Sequence, residues 1–260
     1  MPSTDPVIGV PLRIMRFVAG RLPRIAYPVV RGPLRGARFI LGALAGEGGG
    51  ASVYLNMVET EQTSAFTNTL KYGHALFDIG ANVGYYTVLG ARLVGPSGTV
   101  VAVEPVVRNL AYLYRHVVLN KVCNVSIISA ACSGTVSLAT FSAGRNCATG
   151  HLCDNHGETE QSQEKPFLVP TVTVDAISQQ LGILPDVIKV DVEGAEISVL
   201  EGALATLREA KPAIFLSTHS DSLRHACLEY LRQLGYAPKV LSQDKKNPSE
   251  FLLKCADRTC

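Results

Sequence analysis

From residue 75 onward, short apolar runs alternate with stretches of helical periodicity, and this alternation limits the fold more than any other feature of the chain. A short run that is apolar throughout is typical of a parallel strand, which is buried on both faces and joined to the next by a crossover helix. Three such runs are Ala75–Ile79, Thr99–Val103 and Val125–Ile128. The sequence therefore predicts an α/β protein with a mostly parallel sheet of six or seven strands, flanked by helices.

The rest of the chain continues this pattern. Extended segments are predicted at Thr135–Phe141 and Leu168–Val174, on either side of a polar loop, residues 142–166. Further strands are predicted at Val187–Val190, Ala213–Thr218, Lys239–Leu241 and Phe251–Lys254. Helices are predicted over residues 53–72, 86–93, 107–119, 197–207 and 223–234.

The first 50 residues differ in composition from the rest, being rich in Pro, Gly and Arg. We predict a basic N-terminal arm over residues 1–50 and a separate domain over residues 51–260. Residues 1–40 hold seven arginines and one acid, Asp5, whereas the whole chain carries a net charge of +2. We favour an arm that packs over the edge of the domain, because its apolar periodicity is poor. A peripheral contact with an anionic membrane or a partner is the alternative.

Overall charge and cysteine usage exclude several classes of protein. With a net charge of +2, no field of one sign covers the molecule, so we expect no nucleic acid as partner. Seven cysteines, an odd number, in a chain of this length indicate a reducing compartment rather than a disulfide framework, with Cys123, Cys132 and Cys227 in the core. The apolar stretch Phe39–Gly46 is far shorter than the ~20 residues of a membrane helix. These features predict a cytoplasmic protein.

The sharpest local motif is an apolar strand that ends in a carboxylate and a loop of small residues, Phe77–Gly84, with Asp78 in the strand. Gly80 and Gly84 are expected to let the backbone approach a bound group closely, and amides at the following helix start can meet a carboxylate. The motif is not the dinucleotide fingerprint, because Asn82 and Tyr85 stand where that pattern needs glycine.

Glu104 follows the second predicted strand and precedes Pro105. A carboxylate at this end of a strand commonly accepts hydrogen bonds from two ribose hydroxyls. The alternative is a cap for the helix that begins near Val106. Beside the glycine loop, we favour nucleoside binding.

A second dense cluster is Lys189-Val190-Asp191-Val192-Glu193-Gly194-Ala195-Glu196. On an extended segment, Lys189, Asp191 and Glu193 lie on one side. Crowded carboxylates repel one another and tend to raise one pKa towards the range of a general base. We expect Asp191 to be functional and Glu196 to cap the next helix. Mg²⁺ could bind through the oxygens of Asp191 and Glu193, but we do not favour a metal.

His219 ends the fifth predicted strand, and parallel strands bring its end beside that of the strand with Asp191. A histidine there could take the proton of a substrate hydroxyl, although a polar cap is the plain alternative.

The polar loop invites a zinc site, since it holds Cys147, His151, Cys153 and His156. Their spacing matches no closed set of four zinc ligands, and we expect a lid that faces substrate instead.

Together these segments resemble the FkbM family of S-adenosylmethionine-dependent methyltransferases. The strings that carry the resemblance are FDIGANVGYYT, VVAVEP, VIKVDVEGAEISVLEGA and FLSTHS, and the match spans roughly residues 53–255. The resemblance implies a class I, Rossmann-like fold, with parallel strands ordered 3-2-1-4-5 and a closing antiparallel strand. It also implies methylation of a hydroxyl on a sugar, glycolipid or natural-product acceptor such as a polyketide.

The same resemblance places S-adenosylmethionine by position. The residues expected to hold its methionine part are Asp78, Gly80, Asn82 and Gly84. Glu104 would hold the ribose, and Ala130 or Ala131 would lie near the adenine. Asp191 and Glu193 would face the transfer site, with His219 the competing base. The rivals are a catalytically silent binding module and a nicotinamide dehydrogenase.

Overall fold

A seven-stranded sheet forms the centre of the computed structural model, which describes residues 22–43, 51–142, 151–152, 166–242, 244 and 248–256. In chain order, the strands are β1 (Ala26–Pro28), β2 (Arg38–Ile40), β3 (Ala75–Ile79), β4 (Thr99–Val103), β5 (Val125–Ile128), β6 (Ala131–Cys132), β7 (Ser137–Ser142), β8 (His151–Leu152), β9 (Phe167–Val172), β10 (Val187–Val190), β11 (Ala213–Ser217), β12 (Tyr236–Val240) and β13 (Glu250–Cys255). The helices are α1 (Ala51–Tyr54), α2 (Thr60–Thr69), α3 (Tyr85–Val94), α4 (Val107–Leu119), α5 (Val174–Leu181), α6 (Glu196–Glu201), α7 (Leu204–Ala210) and α8 (Asp221–Gln233).

The central sheet runs β5-β4-β3-β10-β11-β13-β12 in space. β13 is antiparallel to both of its neighbours, while the five strands from β5 to β11 are parallel. The predicted class I order, with its closing antiparallel strand, is thus confirmed. Sequence order reverses between β3 and β10, and ligands in open α/β sheets bind at such a reversal.

Helices cover both faces of this sheet because successive residues of a buried strand point to opposite sides. Phe77 and Ile79 pack with α5 to α8 on one face, in a cluster that includes Leu200 and Leu231. Leu76, on the other face, packs with α2 and α3. Burial on both faces explains why β3 is an uninterrupted apolar run apart from one acid.

Part of the predicted arm packs into the domain. β1 and β2 form an antiparallel hairpin, and Phe39 is buried in the cluster that also contains Leu76. The Ile40 N–H donates to Nε2 of His116 (3.0 Å), so Nδ1 carries the proton that it donates to the Val83 carbonyl (2.6 Å). Residues 22–43 are therefore tied to the loop that follows β3, whereas residues 1–21 and 44–50 lie outside the described part of the chain.

Two predicted helices are each divided in two. The segment 53–72 forms α1 and α2, because Asn56 and Glu59 adopt left-handed backbone conformations between them (φ 56° and 37°). The segment 197–207 divides into α6 and α7 around Gly202, where a Cβ would lie 2.4 Å from the Ser133 carbonyl oxygen. Left-handed backbone conformations mark the first break, and a close approach of the chain marks the second. Apolar periodicity indicates neither feature.

A helix and a cysteine also differ from expectation. Val174 was predicted to end a strand but begins α5, whose start is capped by Thr173 accepting from the Ala176 N–H (3.0 Å). Cys123 is exposed, whereas Cys132 and Cys227 are buried as predicted. Cys123 lies between α4 and β5, and its side chain is exposed to solvent although apolar residues lie near it in the sequence.

A second, smaller sheet has the order β6-β9-β7-β8. The predicted extended segments pair with each other in it, as β7 and β9 are antiparallel. Residues 143–150 and 153–165 of the intervening loop are outside the described residues, and so are Cys147, Cys153 and His156 of the zinc alternative. Among the helices that the structure describes, none has the length and apolar character needed to cross a membrane.

Candidate active site

A crevice of about 330 Å³ opens at the carboxyl ends of β3, β4, β10 and β11. It is lined by eight of the nine residues predicted from the sequence, namely Asp78, Gly80, Asn82, Glu104, Ala131, Asp191, Glu193 and His219. The ninth, Gly84, is not part of the lining. The parallel topology brings these residues together, although they span more than half of the chain.

The two glycines of the loop after β3 serve close packing of the chain. Gly80 has φ 80°, and a Cβ on it would lie 1.9 Å from the backbone oxygen of Asp191. Gly84 has φ 90°, and its Cβ would lie 2.5 Å from Leu113 of α4. Gly80 thus lets β3 and β10 end side by side and also lines the crevice, and Gly84 lets α3 start against α4. That these glycines let the backbone approach a ligand stays a prediction.

Asp78 is almost completely buried at the base of the crevice. Its Oδ2 accepts a hydrogen bond from the Thr87 hydroxyl (2.6 Å), whereas Oδ1 has no hydrogen-bond partner among the described residues. Burial raises the pKa of Asp78, and the neighbouring Lys189 ammonium opposes that rise. Oδ1 of Asn82 is also buried and has no hydrogen-bond partner among the described residues. Both side chains line the crevice, so it presents two acceptors that a ligand's N–H or O–H groups could satisfy.

Glu104 supports a helix start, which is one of the two roles that its sequence position suggested. Its Oε2 accepts from the Asn82 N–H (2.8 Å), and its Oε1 accepts from the Val106 N–H (2.9 Å) and the Asn109 amide (3.2 Å). Burial raises the pKa of Glu104, and these hydrogen bonds counteract the rise. The carboxylate thus supports the start of α4, and since a carboxylate has about four acceptor positions, it can still accept from a ligand in the crevice.

The opposite end of the crevice is built on an ion pair. Lys189 is 3% exposed, and its Nζ lies 2.8 Å from Oδ2 of Asp191 and 4.8 Å from the ring centre of Tyr86. Burial alone would lower the pKa of Lys189, but the carboxylates of Asp191, Glu59 and Asp78 raise it above its ordinary value. Conversely, burial favours a higher pKa for Asp191, and Lys189 holds it below the usual value. Both groups are therefore charged at neutral pH.

His219 sits among three carboxylates. Its Nδ1 lies 2.5 Å from Oε1 of Glu196, and its Nε2 lies 3.4 Å from Oε1 of Glu193 and 3.6 Å from Oδ1 of Asp191. Burial alone would lower the pKa of His219, but its bonds to Glu193 and Glu196 raise it to about 10. The ring accordingly holds two protons at neutral pH, and in that state it has no lone pair with which to act as the predicted base.

Glu196 does not cap α6 as predicted. Its Oε1 accepts from the N–H of Gly194 (3.1 Å), which lies before the helix, and the N-cap, Ala195, has no side-chain hydrogen bond. Glu196 is completely buried and orients His219 through Nδ1. Its Oε2 has no hydrogen-bond partner among the described residues.

Glu59, Tyr86 and Glu250 are among the residues of the crevice that the sequence analysis did not single out. The Glu59 Oε2 accepts from the Tyr86 hydroxyl (2.8 Å) and from the Gln62 amide (2.6 Å). Burial, with the charges of Glu59 and Asp191, raises the pKa of Glu250 to about 7. The sequence held only a weak indication of the two acids. Glu59 directly precedes a helix, and Glu250 ends a polar stretch before the last predicted strand.

One group of side chains in the described part of the molecule has the composition of a metal site. Asp191, Glu193 and His219 each offer one ligand atom, and these atoms lie within 4.8 Å of one another. The sequence analysis had considered only the two acids, Asp191 and Glu193, as metal ligands.

Three solved structures illustrate what the fold is similar to. A methyltransferase FkbM from Methylobacillus flagellatus KT is 16% identical, with a TM-score of 0.49 over 81% of this chain and 56% of that one. A precorrin-6y C5,15-methyltransferase from Geobacter metallireducens GS-15 is 14% identical, with a TM-score of 0.48 over 75% of this chain and 87% of that one. Aeropyrum pernix fibrillarin, solved with bound S-adenosyl-L-methionine, is 15% identical, with a TM-score of 0.45 over 71% and 67%.

Family assignment rests on the sequence itself. No curated protein matches the chain. Residues 78–238, more than half of the chain, match the methyltransferase FkbM domain, and this range contains Asp78, Glu104, Asp191 and His219. The chain belongs to the FkbM family and is an S-adenosylmethionine-dependent methyltransferase.

Proposed function

We propose that the protein methylates a hydroxyl oxygen of a sugar, glycolipid or polyketide-like acceptor. The observation that carries this proposal is the division of one crevice into two ends. Asp78 and Glu104 offer hydrogen-bond acceptors at one end, and Lys189, Asp191 and His219 form a charged network at the other. Such an arrangement suits a nucleoside cofactor beside a hydroxyl that loses its proton.

The cofactor end has the acceptors that S-adenosylmethionine needs. Oδ1 of Asp78 and Oδ1 of Asn82, both buried without partners in the described chain, would accept from the amino group of its methionine part. Glu104 would accept from the ribose hydroxyls, and Ala131 would lie against the adenine. When bound, the cofactor supplies an electrophilic methyl group. What these residues contribute is orientation, which is worth about 7–11 kcal/mol when two reactants are well aligned.

The acceptor end would handle the proton. Asp191 pairs with Lys189 through Oδ2, so Oδ1 is the oxygen available to accept a hydrogen bond from a substrate hydroxyl. A positioned base contributes about 10²–10⁴-fold in rate, less than alignment does. Since the pKa of Asp191 lies below its ordinary value, its first task is to orient the hydroxyl, and it takes the proton as the oxygen–carbon bond forms.

Replacing Asp191 tests this division of labour. We expect Asp191→Asn to reduce turnover by about 10²–10⁴-fold and to leave the dissociation constant of S-adenosylmethionine within a few-fold. The matched control is Asp221→Asn, on the exposed first turn of α8, which should retain full turnover. Turnover is followed by mass spectrometry of a cell extract incubated with methyl-labelled donor. Full turnover by Asp191→Asn would remove this side chain from the mechanism.

Cofactor binding without transfer to any acceptor would instead favour the silent binding module. For that alternative, the membrane contact of the arm is tested by deleting residues 1–21 alone, because residues 22–43 pack in the core. Loss of liposome binding in this deletion would support a membrane-bound module. Equilibrium dialysis that finds no retained S-adenosylmethionine on folded protein would contradict both alternatives.

A further inference from the structure

We propose that Asp191, Glu193 and His219 bind one divalent metal ion at the acceptor end of the crevice. The ligand atoms are Oδ1 of Asp191, Oε1 of Glu193 and Nε2 of His219, with Nε2 at 3.6 and 3.4 Å from the two oxygens. Two atoms that share an ion at about 2.1 Å each lie no more than about 4.2 Å apart. All three atoms lie within 4.8 Å of one another, so small side-chain rotations complete the site.

The position of Glu196 is a separate observation that points to a metal. A histidine that ligates a metal almost always donates its other ring N–H to a carboxylate or carbonyl, which sets its tautomer and orientation. Here the completely buried Glu196 contacts Nδ1 of His219 at 2.5 Å, and it is not one of the three ligands. Oε2 of Glu196 has no hydrogen-bond partner among the described residues, and Oε1 bonds to His219 and to one backbone amide.

The surrounding charges also favour a cation. Asp191 uses Oδ2 for Lys189 and turns Oδ1 towards His219, so binding an ion does not require the ion pair to break. The lining of the crevice includes two further carboxylates, Glu59 and Glu250.

The ligand set indicates the class of ion. Imidazole nitrogen with two carboxylates suits first-row divalent ions such as Mn²⁺ or Zn²⁺, whereas Ca²⁺ prefers six to eight oxygens. Three protein ligands leave coordination positions open towards the crevice. With the ion bound, Oδ1 of Asp191 would be a ligand, and the acceptor hydroxyl would bind the ion instead of Oδ1 and lose its proton more readily. This consequence, unlike the site itself, rests on the proposed function.

Mn²⁺ is the probe for the test. The full chain, stripped with chelator and dialysed, is titrated with Mn²⁺ by calorimetry and by the loss of the free-ion EPR signal. We expect one ion per chain. Glu193→Gln, at a partly exposed position, should weaken binding by at least about 10-fold, and Glu196→Gln, with circular dichroism to verify folding, by about 10–100-fold.

Glu250→Gln is the matched control when all titrations are run at pH 8, where Glu250, with a pKa of about 7, is mostly ionised; it then removes a charge from the same crevice without touching the three ligands. It should change Mn²⁺ affinity by no more than a few-fold. Equal losses in Glu250→Gln and Glu193→Gln would show diffuse attraction rather than a site and overturn the proposal. So would the absence of saturable binding below about 1 mM, the range of the weakest protein cation sites.

Titration of the same samples with S-adenosylmethionine separates this proposal from the proposed function. Cofactor binding without Mn²⁺ binding would overturn the metal site alone. Mn²⁺ binding without cofactor binding would leave the metal site standing and contradict the methyl transfer.

Discussion

The two ends of the crevice hold their acids in different ways. At the cofactor end, Glu104 bonds chiefly to backbone N–H groups, and Asp78 bonds to a hydroxyl nine residues away. At the acceptor end, Asp191 and His219 belong to a network of charged side chains. Burial raises the pKa of Asp78 and of Glu104. For Asp191 and His219, neighbouring opposite charges outweigh the effect of burial on the pKa. The first end offers hydrogen-bond acceptors to a ligand, whereas the second is held together by opposite charges.

Breaking the charged network should produce the largest effect. Lys189→Met removes the buried cation shared by Asp191, Asp78 and Glu59, and we expect a loss of about 3–5 kcal/mol in the free energy of unfolding, measured by urea denaturation. Lys254→Met, at an exposed position of β13, should cost less than about 0.5 kcal/mol. If the two variants lose the same amount, the acceptor end does not depend on its ion pairs.

Weakening the cofactor end should have a smaller effect that appears in binding. Glu104→Gln replaces one acceptor oxygen by a donor that faces backbone N–H groups. Hydrogen bonds to charged groups contribute about 1.5–3 kcal/mol, so calorimetry should show S-adenosylmethionine bound about 10- to 100-fold more weakly. Glu209→Gln, on the exposed side of α7, is the control. Unchanged affinity in Glu104→Gln would reduce this residue to a support of α4.

The pH dependence of stability should show the smallest effect. The pKa of Asp78 is higher in the folded protein than in the unfolded chain, so the unfolded state releases this proton first as the pH rises. Asp78 therefore favours folding less and less above about pH 4. The stability of the wild type minus that of Asp78→Asn should fall between pH 4 and pH 7 in urea titrations.

The control variant, measured over the same pH range, is Asp221→Asn at the exposed start of α8. A rising difference for Asp78→Asn would mean that Lys189 outweighs burial at this carboxyl. The cofactor end would then follow the same electrostatics as the acceptor end.

Sequence patterns predicted the sheet and most of its helices because strand burial and helix periodicity are local properties. β3, β4, β5 and β10 begin and end where they were predicted. The division of the segment 53–72 was missed because it depends on backbone conformations at Asn56 and Glu59, and the helix α5 because one threonine cap, Thr173, outweighs an apolar pattern. Such features depend on single contacts, which an average over a window of residues does not register.

The candidate site divides in the same way. Asp78, Asn82 and Glu104 lie in one β-α-β unit, where their spacing along the chain determines their spacing in space. Glu59 and Glu250 come from distant segments, and they enter the crevice only when α2 packs against the sheet and β13 pairs with β11 within it.

By itself, the sequence determined the family and the carboxylates at the strand ends, because both depend on short stretches of neighbouring residues. The strand order followed only from the resemblance to that family. Only the tertiary structure decided how those carboxylates are charged. The protonation of His219 follows from Glu193, Glu196 and Asp191 converging on one ring, and electrostatic energy depends on distance in space rather than on separation along the chain.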